Sequence, residues 1–206
     1  VSPSARPGRT RLRWYGTGIP EVVFVERKTH RDSWGGELSV KERFILKESQ
    51  VRSLLDGKFD VAGEAEKLRK KGKSEEDVDE WLQLVNETVQ AINSKMLVPT
   101  MRTQYMRTAF QIPFDATVRV SLDTNLTMIN ERTKDTMEGT RWYRDPQMAV
   151  PLNAITRFPH AVLEVKLQLE DESSTPQWVT DLLMSGRLLE VHKFSKFIHG
   201  SAVLMP

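Results

Sequence analysis

Charge set at every second position within aliphatic sequence constrains this chain most. EVVFVERK (21–28) places Glu26 and Lys28 two residues apart, and HAVLEVKL (160–167) repeats the pattern with Glu164 and Lys166. Successive strand side chains point to opposite faces, so in each segment carboxylate and ammonium share one face while Val, Leu and Ala take the other. The shared face expects water or a charged ligand. The clearest alternation is ATVRVSLDT (116–124), with Thr117, Arg119, Ser121 and Asp123 against Val118, Val120 and Leu122. RLRWYG sets Arg11, Arg13 and Tyr15 against Leu12 and Trp14, and in MRTQYMRTAF the side chains of Tyr105 and Arg107 share a face.

Between these strands the period changes. From about residue 48 to 97, Val78, Trp81, Leu82, Val85, Val89, Ile92 and Met96 recur at helical spacing, and Ser74 with Asp77 reads as a cap at the start of that helix. This is a helical insertion, entered through ELSVKERFILKE, a strand passing into a helix. A strand is expected around TRWYR (140–144), a helix from Pro176 to Gly186, and a last short helix in KFSKFIHGSAVL. Residues 1–10 read as a flexible lead-in and residues 11–206 as a single domain.

Composition narrows the function. Thirty Lys and Arg against 28 Asp and Glu leave a formal charge of only +2, so no broad basic coat for nucleic acid is expected. Without cysteine there is no thiolate metal site, disulfide framework or cysteine nucleophile. No apolar run reaches membrane-spanning length, and the polar first residues do not form a signal peptide. The chain begins with Val1, so it reads as a soluble piece of a longer protein. His30, His160, His192 and His199 show no metal-like pairing, and no GxSxG elbow supports an acyl-transfer serine. GKS at 72–74 ends like a phosphate loop, but Lys67 stands where its first Gly belongs. The basic run Lys67, Arg69, Lys70, Lys71 and Lys73 suits either a solvated helix end or a grip on an acidic partner.

Five strand candidates bring Arg11, Arg13, Lys28, Arg107, Arg119 and Lys166 to same-side positions, with Glu26 and Glu164 among them. A half-exposed sheet accommodates each such face in solvent. Taken together they suggest more. The guanidinium fork suits bidentate phosphate contacts, and an antiparallel sheet closed with its charged side inward and its apolar side under helices is a polar tunnel. The expected fold is therefore α+β, a closed antiparallel β tunnel covered by helices. It would select a long anion such as a phosphate oligomer or nucleotide, with a divalent cation joining the stranded carboxylates Glu26 and Glu164. Tyr105 either stacks an adenine at the mouth or packs at the rim.

ERKTHRDSWGGELSVKERF, YMRTAFQ, VRVSLDT, RFPHAVLEVKLQ and KFSKFIHG together resemble the catalytic domain of the vacuolar transporter chaperone (VTC) family, eukaryotic polyphosphate polymerases of the triphosphate tunnel metalloenzyme (CYTH) superfamily. The resemblance runs from about residue 9 to the end. It implies that Arg11, Arg13, Lys28, Lys41, Arg107 and Arg119 form the cationic wall, that Glu164 holds manganese or magnesium, and that Lys193, Ser195 and Lys196 lie near the reacting phosphate, with Lys196 catalytic. It also implies transfer of the ATP γ phosphate to polyphosphate with release of ADP. The parent protein is expected to carry an SPX domain and membrane helices, to assemble with other VTC subunits, and to sit on the cytosolic side of a vacuole or acidocalcisome. Two other activities fit the same family: an accessory subunit that only binds polyphosphate, and a tripolyphosphatase.

Overall fold

The computed structural model describes residues 9–33, 36–169, 175–192 and 194–205, which fall into two compact units, residues 1–99 with 133–148 and residues 100–132 with 149–206. The first unit is a three-stranded antiparallel sheet in the order β1 (Arg9–Arg13), β2 (Val22–Ser33), β3 (Gly36–Lys47). Strand β1 begins at Arg9, inside the stretch expected as lead-in; residues 1–8 lie outside the described residues. The expected helical insertion is three helices, α1 (Glu48–Leu55), α2 (Val61–Lys70) and α3 (Glu75–Lys95). Ser74 caps α3 by accepting the Asp77 backbone N–H at 3.1 Å, satisfying one donor that the first turn leaves free.

The helices cover the aliphatic face of this sheet. Val23, Val25, Phe44 and Leu46 pack with Val51, Leu54, Val85 and Ile92 in one core. Arg27 also points to this face, where it pairs with Glu42 at 3.1 Å and with Glu87 of α3. Where a strand was expected at TRWYR there is none. A short helix α4 (Lys134–Glu138) precedes it, and adjacent Trp142 and Tyr143 are both buried without belonging to a strand. Trp142 meets Trp14 edge-on at 5.4 Å, and its indole N–H donates to Glu48 Oε1 at 2.9 Å.

The second unit is built on β5 (Val118–Asn130), paired antiparallel along one edge with β4 (Met101–Gln111) and along the other with β6 (Ile155–Arg157) and β7 (Val162–Leu167). Helix α5 (Gln177–Leu183) places buried Val179 against Val118, Val120, Leu163 and Val165. Helix α6 (Lys196–Leu204) lies against the opposite face, so closely that Gly200 fits beside the sulfurs of Met101 and Met128. Register shifts by one residue between Gln104 and Met106, where Asn125 and Leu126 together oppose Tyr105. Asn125 takes φ +52°, as a bulge residue of a short polar type can.

The chain is thus α+β with antiparallel sheets, but among the described residues neither sheet closes on itself. The physical reason is strand number: three or four strands are far short of the roughly eight that enclose a filled interior.

Candidate functional site

Register gathers the expected cations of the first unit around one carboxylate. Arg11 stands opposite Glu26, and Lys28 opposite Lys41, so Arg11, Arg13, Glu26, Lys28, Lys41 and Arg43 share the face not covered by helices. Arg11 Nε donates to Glu26 Oε2 at 3.1 Å, and its Nη2 lies 2.9 Å from the same oxygen. Arg13 Nη2 lies 3.6 Å from that oxygen, and Lys41 Nζ stands 2.8 Å from Oε1. Glu26 is 2% exposed although it lies on the open face, because its neighbours enclose it. Burial by itself would raise its pKa; the Lys41 hydrogen bond and the charges of Arg13 and Arg11 outweigh that and hold it below the usual range. Lys28 remains exposed.

Glu26, expected to join a divalent cation, is surrounded here by cationic side chains. A divalent ion approaching it would meet three positive side chains already on both carboxylate oxygens, an arrangement that suits a counter-ion to those cations.

The second unit repeats the device with different residues. Arg107 Nε and Nη2 donate to Asp123 Oδ1 and Oδ2 at 2.6 and 2.7 Å, and Lys196, at the start of α6, reaches Oδ2 at 2.9 Å. Asp123 is 1% exposed. Burial would raise its pKa, but the Arg107 and Lys196 hydrogen bonds and charges bring it below the usual carboxylate range; the same contact pushes Arg107 upward. Both cations lie over the Tyr105 ring, at 5.2 and 5.3 Å from its centroid. The phenol therefore serves as a platform for the cations.

Around this centre stand Arg119, opposite Lys166, and Ser121, opposite Glu164. Glu164 is half exposed, 3.8 Å from Arg107 Nη2 and 3.7 Å from Lys166 Nζ. Arg119 is exposed, as is Lys166. Ser195 caps α6, its hydroxyl accepting the Ile198 N–H at 3.3 Å, which starts the helix at Lys196 and aims that side chain at Asp123. Lys193 lies outside the described residues. His160 and His199 meet Phe158 edge-on, as packing residues do. The basic run near α2 is largely matched by acids, Lys67 with Glu64, Arg69 with Glu75 and Lys73 with Asp77, which favours a solvated helix end.

No three His, Cys, Asp or Glu side chains among the described residues come together to hold a metal. Glu164 fits a more modest part: one accessible carboxylate, with the remaining ligands drawn from phosphate oxygens and water, the usual habit of magnesium. Sequence reasoning placed Asp123 on the charged face but missed its role. The available signal was an aspartate at the same alternation as Arg119.

Chemically, both faces present fixed guanidinium and ammonium donors to an anion, while of the serines beside them Ser121 is buried and Ser195 serves as a helix cap. The VTC domain model matches residues 4–205. The chain is 45% identical over 201 residues to vacuolar transporter chaperone complex subunit 4 of Schizosaccharomyces pombe, and 37% identical over 203 residues to subunit 4 of Trypanosoma cruzi. Subunit 2 of the same fission yeast is 34% identical over 212 residues. Each alignment covers 94% of this chain but only 24–28% of the relative, so the chain spans about a quarter of those proteins' length. With a family match running from residue 4 to residue 205 across both charged clusters, this chain belongs to the VTC domain family.

Proposed function

We propose that this chain is a polyphosphate-polymerising domain that transfers the γ phosphate of ATP to the end of a polyphosphate chain and releases ADP. The observation that carries the reading is the Asp123 centre, where Arg107 and Lys196 are held side by side on the sheet face that also bears Arg119, Lys166 and Glu164. Phosphoryl transfer asks mainly for positioning and charge neutralisation, and that face offers both without a covalent nucleophile.

A terminal chain oxygen attacks the γ phosphorus as the bridging β–γ P–O bond breaks, and ADP leaves with the electron pair. Arg107 spends its Nε and Nη2 edge on Asp123, which leaves Nη1 to meet an equatorial phosphate oxygen. Lys196 has three N–H donors, one directed at Asp123, so two remain for the transferring group. Arg119 and Lys166, both exposed, hold the chain, as Arg11, Arg13, Lys28 and Lys41 do on the first sheet. Glu164, half exposed beside Arg107 and Lys166, would hold a manganese or magnesium ion, which would supply further charge neutralisation when bound. The closed tunnel that the family resemblance implies is part of this proposal. Relatives named subunit 4 reach higher identity than those named subunit 2, which supports the subunit 4 place in a vacuolar complex with other VTC subunits.

The test is incubation with ATP, manganese and a short phosphate primer, followed by gel analysis of products for wild type, Lys196→Ala and Glu164→Ala. A ladder of long chains that both substitutions abolish is expected. Orthophosphate alone would indicate a tripolyphosphatase, and salt-sensitive polyphosphate binding without ATP turnover an accessory subunit; either would overturn the polymerase reading.

A further inference from the structure

In both units the carboxylate at the centre of the charged face is the most buried member of its cluster, while the cations around it keep exposed surface. Glu26 has 3% side-chain exposure against 57% for Arg11 and 44% for Lys41; Asp123 has 2% against 35% for Arg107 and 23% for Lys196. A carboxylate bound side-on to a guanidinium occupies donors that a phosphate would otherwise take. Each also places a negative charge one side chain below the surface on which a polyanion would lie. Neither position serves catalysis by contact, since substrate would reach the cations first.

We infer that Glu26 and Asp123 are resident counter-anions, which hold the wall cations in fixed directions and at the same time weaken their grip, so that a bound polyphosphate slides along the face instead of sticking. The inference rests on the polymerase reading, which requires the product to move after every transfer. A site that conducts a charged species must bind it well enough to admit it and weakly enough to release it. With Arg11, Arg13, Lys28, Lys41 and Arg43 on one face and Arg107, Arg119, Lys166 and Lys196 on the other, unmoderated cations would hold a polyanion very tightly. Asp123 acts through Arg107 and Lys196, and is a positioning residue.

A carboxylate with a purely structural role and a resident counter-anion predict opposite signs for binding. Asp123→Asn keeps the shape and one acceptor while removing the charge. Its neighbours then face phosphate without a competitor, and the dissociation constant for polyphosphate of defined length falls on the order of tenfold, as expected for one charge a side chain's length from the anion at a dielectric between those of a protein surface and water. Turnover at saturating ATP falls at the same time, because Arg107 and Lys196 lose their fixed direction and the chain leaves more slowly. The experiment measures polyphosphate affinity by titration and turnover by ADP release for wild type, Asp123→Asn and Glu26→Gln, with circular dichroism melting curves for each. The two variants lie in different units, so misfolding of one leaves the other decisive. Tighter binding with lower turnover in a folded variant supports the inference. Unchanged or weaker binding in the folded variants overturns it while leaving the polymerase reading in place. Absence of polyphosphate binding and turnover in wild type overturns both.

Discussion

Replacing Arg107 by Ala should destabilise the second unit by an amount set by what Asp123 loses. Two short hydrogen bonds, at 2.6 and 2.7 Å, disappear, and Oδ1 is left without its donor in a position 1% exposed. Lys196 keeps Oδ2, so the charge is not fully stranded. A buried acceptor left unpaired costs about 1–3 kcal/mol, and removing one partner of a fully buried ion pair about 3–5 kcal/mol. Arg107 is about a third exposed, so the lower range applies, and about 2–3 kcal/mol is expected, or roughly 4–12 °C in midpoint for a chain of this size.

The pH dependence carries a definite sign. Asp123 has a lowered folded-state pKa, so its contribution is present above the unfolded value near 3.9 and is lost as pH falls through the folded one. Without Arg107, burial regains weight and Asp123 protonates at higher pH. The gap between wild type and variant is therefore widest near neutrality and narrows on acidification. Urea unfolding between pH 7 and pH 3, with amide exchange of β5 localising the loss, measures this. The double variant Arg107→Ala with Asp123→Ala should recover at least about 1 kcal/mol of the single loss. A single-variant effect below about 0.5 kcal/mol at pH 7, or no recovery in the double variant, would refute the reasoning.

Three further outcomes are expected. Trp142→Ala should cost about 3–5 kcal/mol in urea unfolding, since it opens the core and strands Glu48 Oε1, whereas a loss under 1 kcal/mol would mean the ring is dispensable. Gly200→Ala puts a methyl group into the sulfurs of Met101 and Met128 and should lower stability by about 1–3 kcal/mol in thermal melts; an unchanged midpoint would show that α6 can lift without cost. Arg119→Ala, exposed and without a described ion-pair partner, should leave the melting curve within about 0.5 kcal/mol while reducing the slope of log affinity against log salt for polyphosphate by about one contact. An unchanged slope there would remove Arg119 from the binding face.

Much of the architecture was legible because it rests on local period. The alternation in ATVRVSLDT became β5 with Val118 and Val120 buried and Arg119 exposed, and the Val78, Val85 and Ile92 stripe became the buried side of α3 behind its Ser74 cap. The bulge at Asn125 was not legible, although it resets which residues of β5 continue the charged face and lets Met128 meet α6. TRWYR misled because two adjacent aromatics look strand-like one at a time; both are buried through contacts with Trp14 and Glu48, distant in sequence.

The amino-acid sequence by itself determined which side chains share a face and that the face is cationic, because strand alternation and helical period are properties of neighbouring residues. It also carried the family, since the matching blocks are linear. Only the tertiary structure decided what surrounds each acid. Glu26 and Glu164 carry the same local ExK pattern, yet one is enclosed by Arg11, Arg13 and Lys41 and the other stands half exposed beside Lys166. Asp123 gains its role from Arg107 on an adjacent strand and Lys196 on a helix more than seventy residues away in the chain. A carboxylate's function depends on the charges within a few ångströms, and those are set by strand register and helix packing, which no local pattern encodes.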